Sequence, residues 1–450
     1  MSSPIGKRAI VVGAGMGGLT AAAALADRFE HVLVLERDAL PADAVDRSGI
    51  PQGRHVHALL AGGLRALGEL FPGFEGELAK AGAVSLRMGL DIRTERPGFD
   101  PFPQRDLGFD AFAMSRPLLE WLVRGRVRAL SNVELRQGVR VDALVPRADG
   151  AAIVGVRCDR PGATSETLDA DLVVDASGRG NLTLDLLESL GQPRPEETTI
   201  GVDLRYATAV FSIPDDAPTD WKGVFCFPRP PRSSRGALLL PLEGRRWIVT
   251  LAGRHGEDPP GDADGFMAFA RQLRTPTIFN AIEHAKRVGE PVRFGFPESV
   301  YRHYERLAVF PRGLLVVADA MCRFNPVYGQ GMSVAAQEAV ALRRLLSVRS
   351  GEADPLDGLA LPFFAEAAGL IDTPWFGAAI PDFVHPQTRG TRPDNLEAML
   401  KFGMSLTRLA ARDPGVHKLT AEVQNLVKPR SAYLDPELVQ RVLALTGGGG

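Results

Sequence analysis

Lys7-Arg8-Ala9-Ile10-Val11-Val12-Gly13-Ala14-Gly15-Met16-Gly17-Gly18 is the stretch that decides how this chain is read. An apolar run ends in a glycine turn. An alanine-rich helical pattern follows, and His31-Val32-Leu33-Val34-Leu35 then closes on Glu36. The order predicts strand, turn, helix, strand and acid. Each glycine answers a different demand. Gly13 permits the tight turn, Gly15 lets backbone approach a pyrophosphate, and Gly18 lets the helix pack closely on the strand. The helix start offers unpaired N–H groups and a partial positive charge to phosphates. Glu36 lies 18 residues beyond Gly18, near the offset of about 20 at which an acid takes a ribose hydroxyl. Together these features point to a bound dinucleotide.

The remaining composition narrows the class. The chain has 450 residues, enough for two or three domains with full cores. Its 52 Lys and Arg face 54 Asp and Glu, so charge gives no case for nucleic acid. No apolar run reaches the roughly 18 residues of a spanning helix, so no transmembrane segment is expected. The opening Met1–Gly6 lacks the apolar centre of a secretory signal. Cys158, Cys226 and Cys322 show no CxxC spacing, which points to a reducing, cytoplasmic setting without a disulfide frame. His55 and His57 are two apart, a spacing for a strand face, and no metal is expected.

Along the chain, regular alternation of strand and helix lapses after Glu36. A polar loop, Arg37–Arg54, precedes a helix with Leu60, Leu64, Leu67 and Phe71 on one face, stopped by Pro72-Gly73. Residues 75–112 read as irregular. Ser115 caps a helix with Pro117 in its first turn and Arg124, Arg126 and Arg128 at its end. Leu172–Asp175 reads as a buried strand running into Ala176-Ser177-Gly178. From about 199 to 300 the period becomes two, with Val202, Leu204 and Tyr206, then Trp247, Val249 and Leu251, on an apolar sheet face. Leu314–Ala318 is a further strand ending at Asp319, and Gly329-Gln330-Gly331 opens a helix. The end reads as helical, with Gly447–Gly450 as an unstructured tail. The expected fold class is α/β. A Rossmann-like domain is formed by residues 1–75, 112–195 and 301–350. An antiparallel substrate domain comprises 76–111 and 196–300, and a helical region 351–450.

Three glycine-containing sites thus sit at carboxyl ends of buried strands, where open α/β sheets bind ligands. Asp319 can accept from ribityl hydroxyls, and the N–H groups of Gly331 and Met332 can face a flavin ring. Asp319 also reads as a plain turn residue. Gly13–Gly18 with Glu36, Asp175–Gly178, and Ala318-Asp319-Ala320 through Pro326 to Gly331 resemble the three fingerprints of the single-component flavin monooxygenases. Those proteins have the para-hydroxybenzoate-hydroxylase fold. The resemblance implies FAD, with NAD(P)H as a transient reductant. Ala320-Met321-Cys322 departs from the family pattern, which places a His after Asp-Ala-Ala. The variant segment Cys322–Met332, with Pro51-Gln52-Gly53-Arg54-His55-Val56-His57, is similar to bacterial polyether-type polyene epoxidases and more distantly to squalene epoxidase.

The resemblance also assigns residues. Glu36, with Arg37 beside it, belongs to the adenosine end. Arg116 lies near the phosphates, and Val141 in the strand whose backbone holds adenine. Gln52, Arg54 and His55 lie beside the ring. Asp175, Gly178, Asp319, Pro326, Gly329, Gln330, Gly331 and Met332 complete the cofactor set. Arg116 in a first helix turn opposes the dipole, which a bound anion or plain surface exposure would explain. The Val139–Val141 segment reads equally as core strand. His55 is the candidate catalytic residue, positioned to orient a substrate oxygen. It also reads as a packed structural histidine, since no acid lies nearby in sequence. Tyr206, Phe225, Phe227, Trp247 and Phe324 are the candidate substrate pocket or ordinary core. The implied reaction transfers one oxygen from O2 to an apolar small molecule through a flavin C4a-hydroperoxide, as epoxidation or hydroxylation in secondary metabolism. An external flavin reductase is a candidate partner. The competing readings are a flavin-dependent reductase of isoprenoid double bonds and a non-enzymatic prenyl carrier. A halogenase is disfavoured because no Trp-x-Trp-x-Ile-Pro stretch occurs.

Overall fold

The opening run folds as strand Gly6–Val12, helix Met16–Ala26 and strand Phe29–Glu36. The structure is a computed structural model that describes residues 4–446 apart from 48, 58, 161 and 163. The start Met1–Ser3 and the tail Gly447–Gly450 lie outside the described residues. Gly13 has φ +104°, a left-handed backbone that favours glycine. A Cβ on Gly18 would stand 1.8 Å from the Gly13 carbonyl oxygen, so only glycine lets this helix lie on its strand.

Gly6–Val12 is the centre of a five-stranded parallel sheet. Its order is Leu314–Val316, Leu172–Asp175, Gly6–Val12, Phe29–Glu36 and Val133–Gln137. Ala9 and Val11 enter one core and Ile10 and Val12 another, because a parallel sheet is covered on both faces. One cover includes the helices Met16–Ala26 and Gly331–Arg349, whose small residues allow close approach. The other includes a three-stranded sheet of Arg140–Pro146, Ile153–Asp159 and Glu166–Asp169.

A second, seven-stranded sheet runs Cys322–Arg323, Arg287–Arg302, Glu197–Ser212, Arg246–Arg254, Gly236–Leu242, Gly223–Cys226, Ile92–Glu95. Alternation sends its side chains to two different places. Tyr206 and Phe296 join the core shared with the parallel sheet, whereas Phe211, Trp247, Val249 and Leu251 pack under the helices Ala263–Arg271 and Thr277–Ile282. The expected grouping of Tyr206 with Trp247, Val249 and Leu251 on one face is therefore corrected. Tyr206 pairs with Ala252, and Trp247 with Phe211, at opposite parity.

Residues 75–112 are also more regular than expected. They hold the strands Val84–Arg87, Ile92–Glu95 and Asp110–Ala113, and the helix Phe74–Lys80 begins just before them. Each strand is only four residues long, and Ile92–Glu95 exists through pairing with Gly223–Cys226. The helices Ala360–Asp382, Leu396–Arg412, Pro414–Gln424 and Pro436–Thr446 complete the chain. Among the described residues, no helix is long and apolar enough to cross a membrane.

Gly18→Ala should destabilise the protein by about 3 kcal/mol, since the new methyl meets backbone rather than a movable side chain. Urea denaturation measures this, and a variant as stable as the parent would contradict the close helix–strand contact.

Candidate functional site

Two helix starts meet at the carboxyl ends of the parallel strands. The N-caps are Gly15 for Met16–Ala26 and Gln330 for Gly331–Arg349, and neither helix has a side-chain cap. A Cβ on Gly17 would touch the Ala318 methyl at 2.5 Å, and one on Gly331 would lie 3.7 Å from Asp319 Oδ1. Among the described residues, a Cβ on Gly15 would meet nothing within 4 Å, so this glycine borders open space. Asp319 is solvent-accessible in the same cleft. Loss of bulk water around it raises its pKa, against the pull of Arg116 and Arg323. Arg116 Nε and Gln330 Oε1 are buried without partners among the described residues. The cleft thus presents unpaired N–H donors suited to an anion, beside carboxylate and amide oxygens suited to hydroxyl or ring N–H groups.

At the other end of the cleft Glu36 is already engaged by its own chain. It accepts from the backbone N–H groups of Ala14 (2.8 Å) and Asp38 (3.0 Å). Arg47, unassigned from the sequence, lies 3.2 Å from Glu36 and donates to Glu120 Oε1 at 2.8 Å and to the Ala14 carbonyl at 3.1 Å. Arg116 joins Glu120 at 3.4 Å. No local signal marks Arg47, because Glu120 is 73 residues away.

Other sequence assignments land differently. Arg37 projects outward, with its side chain 70% exposed, and so leaves the cleft to Arg47. Arg54 is exposed and pairs with Asp46 at 3.4 Å. Gln52 is half-buried, and its carbonyl accepts from His55 N–H. Asp175 accepts from Thr183 Oγ1 (2.7 Å) and the Ser177 N–H (3.0 Å), so it holds its own turn. Gly178 and Gly329 take left-handed φ values of +82° and +66° in their turns. Val141 belongs to the three-stranded sheet, while neighbouring Val139 donates its N–H to the Glu36 carbonyl at 2.9 Å. Pro326 opens a short turn of helix, and Met332 packs in the core with Phe324.

The second sheet turns Tyr206, Thr208, Thr250 and Phe294 towards His55. The His55 ring lies 4.6 Å from that of Tyr206, edge to face, and 5.7 Å from Phe294. Burial, aided by Arg54, lowers its pKa to about 4, so it is neutral at pH 7. His57 Nδ1 must carry a proton, since it donates to the His55 carbonyl at 3.0 Å. Phe225 packs beside Val56, Leu240 and Ile248. Phe227 is 38% exposed beneath Arg96, and Trp247 lies on the far face, so neither shares the wall with His55.

Asp382, at the end of the helix Ala360–Asp382, was not visible from sequence. It accepts from Arg254 Nη1 at 2.5 Å, Asn325 Nδ2 at 3.0 Å and Tyr328 OH at 2.9 Å. One buried carboxylate therefore fastens the second sheet and the C-terminal helix to the Asn325–Tyr328 loop that leads into Gly329-Gln330-Gly331.

This geometry has known relatives. Residues 7–357 match the FAD binding domain family. The chain belongs to that family. It is 36% identical over 350 residues to protein Rv3254 of Mycobacterium tuberculosis, covering 76% of this chain and 73% of that protein. It superimposes on the flavin-dependent brominase Bmp2 with a TM-score of 0.66 at 12% identity, over 98% of each chain. It superimposes on pqsL, a probable FAD-dependent monooxygenase from Pseudomonas aeruginosa, with a TM-score of 0.60 at 18% identity, covering 83% and 96%. These structural likenesses establish the fold. The uncapped helix starts, the space at Gly15 and the unpaired Arg116 Nε fit FAD in this family member.

Asp382→Ala should cost about 3–5 kcal/mol, because it leaves the Arg254 charge buried without its partner. Thermal unfolding would show it, and an unchanged midpoint would refute the fastening role. A second expectation concerns pH. Burial lowers the pKa of His55, His385 and His417 to about 4. As pH falls from about 6.5 to 4 the unfolded chain takes up protons that the native state does not, so stability falls. The melting temperature should drop across that window, and less so for His417→Gln. Identical profiles for parent and variant would show that His417 does not contribute.

Proposed function

We propose that this protein is an FAD-dependent monooxygenase that transfers one oxygen atom from O2 to a largely apolar organic substrate, with NAD(P)H as reductant. The observation that carries the reading is the pairing of an anion-fitted cleft with an aromatic wall, Tyr206 and Phe294, around one neutral imidazole. The Gly13–Gly18 turn, Glu36 and Arg47 would hold the adenosine and diphosphate half of FAD. Asp319 and the N–H groups of Gly331 and Met332 would hold the ribityl and ring half, with Arg116 between. FAD, when bound, supplies electron transfer and oxygen activation. The chain's own part is to keep water from the ring and fix the acceptor's orientation.

Alkene epoxidation is the finer form of the proposal. It rests on the Pro51–His57 and Cys322–Met332 segments, which resemble those of polyene epoxidases, and on the absence of an ionised base at His55. An apolar alkene needs no deprotonation before attack. The description of pqsL as a probable monooxygenase agrees with the class, at fold level only.

The test begins with colour. Purified protein should be yellow and bleach when mixed anaerobically with NADPH. Admitting O2 with a candidate polyene should give a product heavier by one oxygen atom. A product heavier by two hydrogens would instead establish double-bond reduction. Gly15→Val should fold normally, with a midpoint within about 2 °C of the parent, yet lose the colour, because its side chain enters only the space a diphosphate would occupy. A fully yellow variant would refute that placement.

A further inference from the structure

The wall around His55 contains a directed chain of hydrogen bonds. The Val56 N–H donates to Thr250 Oγ1 at 3.2 Å. Thr250 Oγ1 lies 2.6 Å from Thr208 Oγ1, which lies 2.7 Å from His55 Nδ1. A backbone N–H can only donate, so Thr250 accepts at that end. If Thr250 then donates to Thr208, and Thr208 to Nδ1, both hydroxyl protons are used. The ring proton must then sit on Nε2. The opposite direction leaves the Thr250 proton without an acceptor and the Nε2 lone pair without a donor. It creates two unmet groups where the first direction leaves one. His55 Nε2 is buried and has no partner among the described residues, and the residue is 2% exposed.

We propose that the Thr250–Thr208 pair fixes His55 as the Nε2–H tautomer, and that this N–H is a preset donor to one oxygen of the bound substrate. The substrate class follows. It is an apolar skeleton carrying a carbonyl, ether or hydroxyl oxygen beside the reacting carbon, and not a pure hydrocarbon. The surrounding rings of Tyr206 and Phe294 take the skeleton, and His55 reads the oxygen. The imidazole meets the oxygen as a neutral donor and gives up no proton. This specificity rests on the oxygenase reading above, while the tautomer does not.

Two measurements test it on the FAD-loaded protein. Long-range nitrogen–proton NMR of chain carrying ring-labelled histidine should show His55 protonated at Nε2. Thr250→Val, which keeps the shape and removes the directing hydroxyl, should give a mixture of tautomers. A proton on Nδ1 in the parent would overturn the proposal. The second measurement uses α-tetralone and tetralin, which share a skeleton and differ by one carbonyl oxygen, with binding followed through the flavin spectrum. The parent should prefer the ketone by about tenfold. His55→Phe should abolish the preference, and His55→Gln, which keeps an N–H, should restore part of it. Equal binding in the parent, or a preference that survives in His55→Phe, would overturn the substrate assignment. Protein that takes up no flavin would instead end the oxygenase reading, with the tautomer still measurable in the flavin-free chain.

Discussion

Two positive helix ends are brought together at Ala318–Asp319, and that proximity organises the rest of the site. Parallel dipole ends repel, and neither helix carries a side-chain cap to offset this. The chain answers with carboxyl groups. Asp319 stands in the cleft, and Glu338 accepts the Ala318 N–H at 2.7 Å while Ala318 holds a positive φ of 56°. Burial pushes the Glu338 pKa up to about 8, so it is mostly protonated at pH 7. The first N–H groups of both helices are left without a side-chain cap among the described residues. An anionic ligand completes what the protein leaves unmet.

The surroundings of that cleft are held by buried charge more than by apolar contact alone. Arg47 joins Glu36, Asp38 and Glu120. Asp382 joins Arg254, Asn325 and Tyr328. Such clusters add little net stability over a well-packed apolar substitute, yet removing one member leaves a charge stranded. They are better suited to fixing position. The Arg47 cluster ties the end of the strand Phe29–Glu36 to the helix Arg116–Arg128, and the Asp382 cluster ties the second sheet and the C-terminal helix to the loop that leads into Gly329–Gly331.

The second sheet divides its work by parity. One face packs against the helices Ala263–Arg271 and Thr277–Ile282 and is ordinary core. The other carries Tyr206, Thr208 and Thr250 towards His55. A threonine pair in an otherwise apolar wall is costly unless bonded, and here each hydroxyl finds a partner through the imidazole chain. The polar atoms thus select one orientation of one ring.

The sequence by itself determined the first strand, turn, helix and strand, the helix after Ser115 and the alternating strands. Those features are local. Glycine spacing, capping residues and hydrophobic period act over a few residues, and the physics that produces them is written in neighbours. Tertiary structure decided which arginine enters the cleft, because Arg47 rather than Arg37 meets Glu120. It decided that Trp247 faces away from Tyr206, since a face is assigned by register with partner strands and not by alternation alone. It joined Asp382 to the Asn325–Tyr328 loop and gave His55 its hydroxyl chain. Buried polar groups must find partners wherever the folded chain brings them, and that pairing is settled only when distant segments meet.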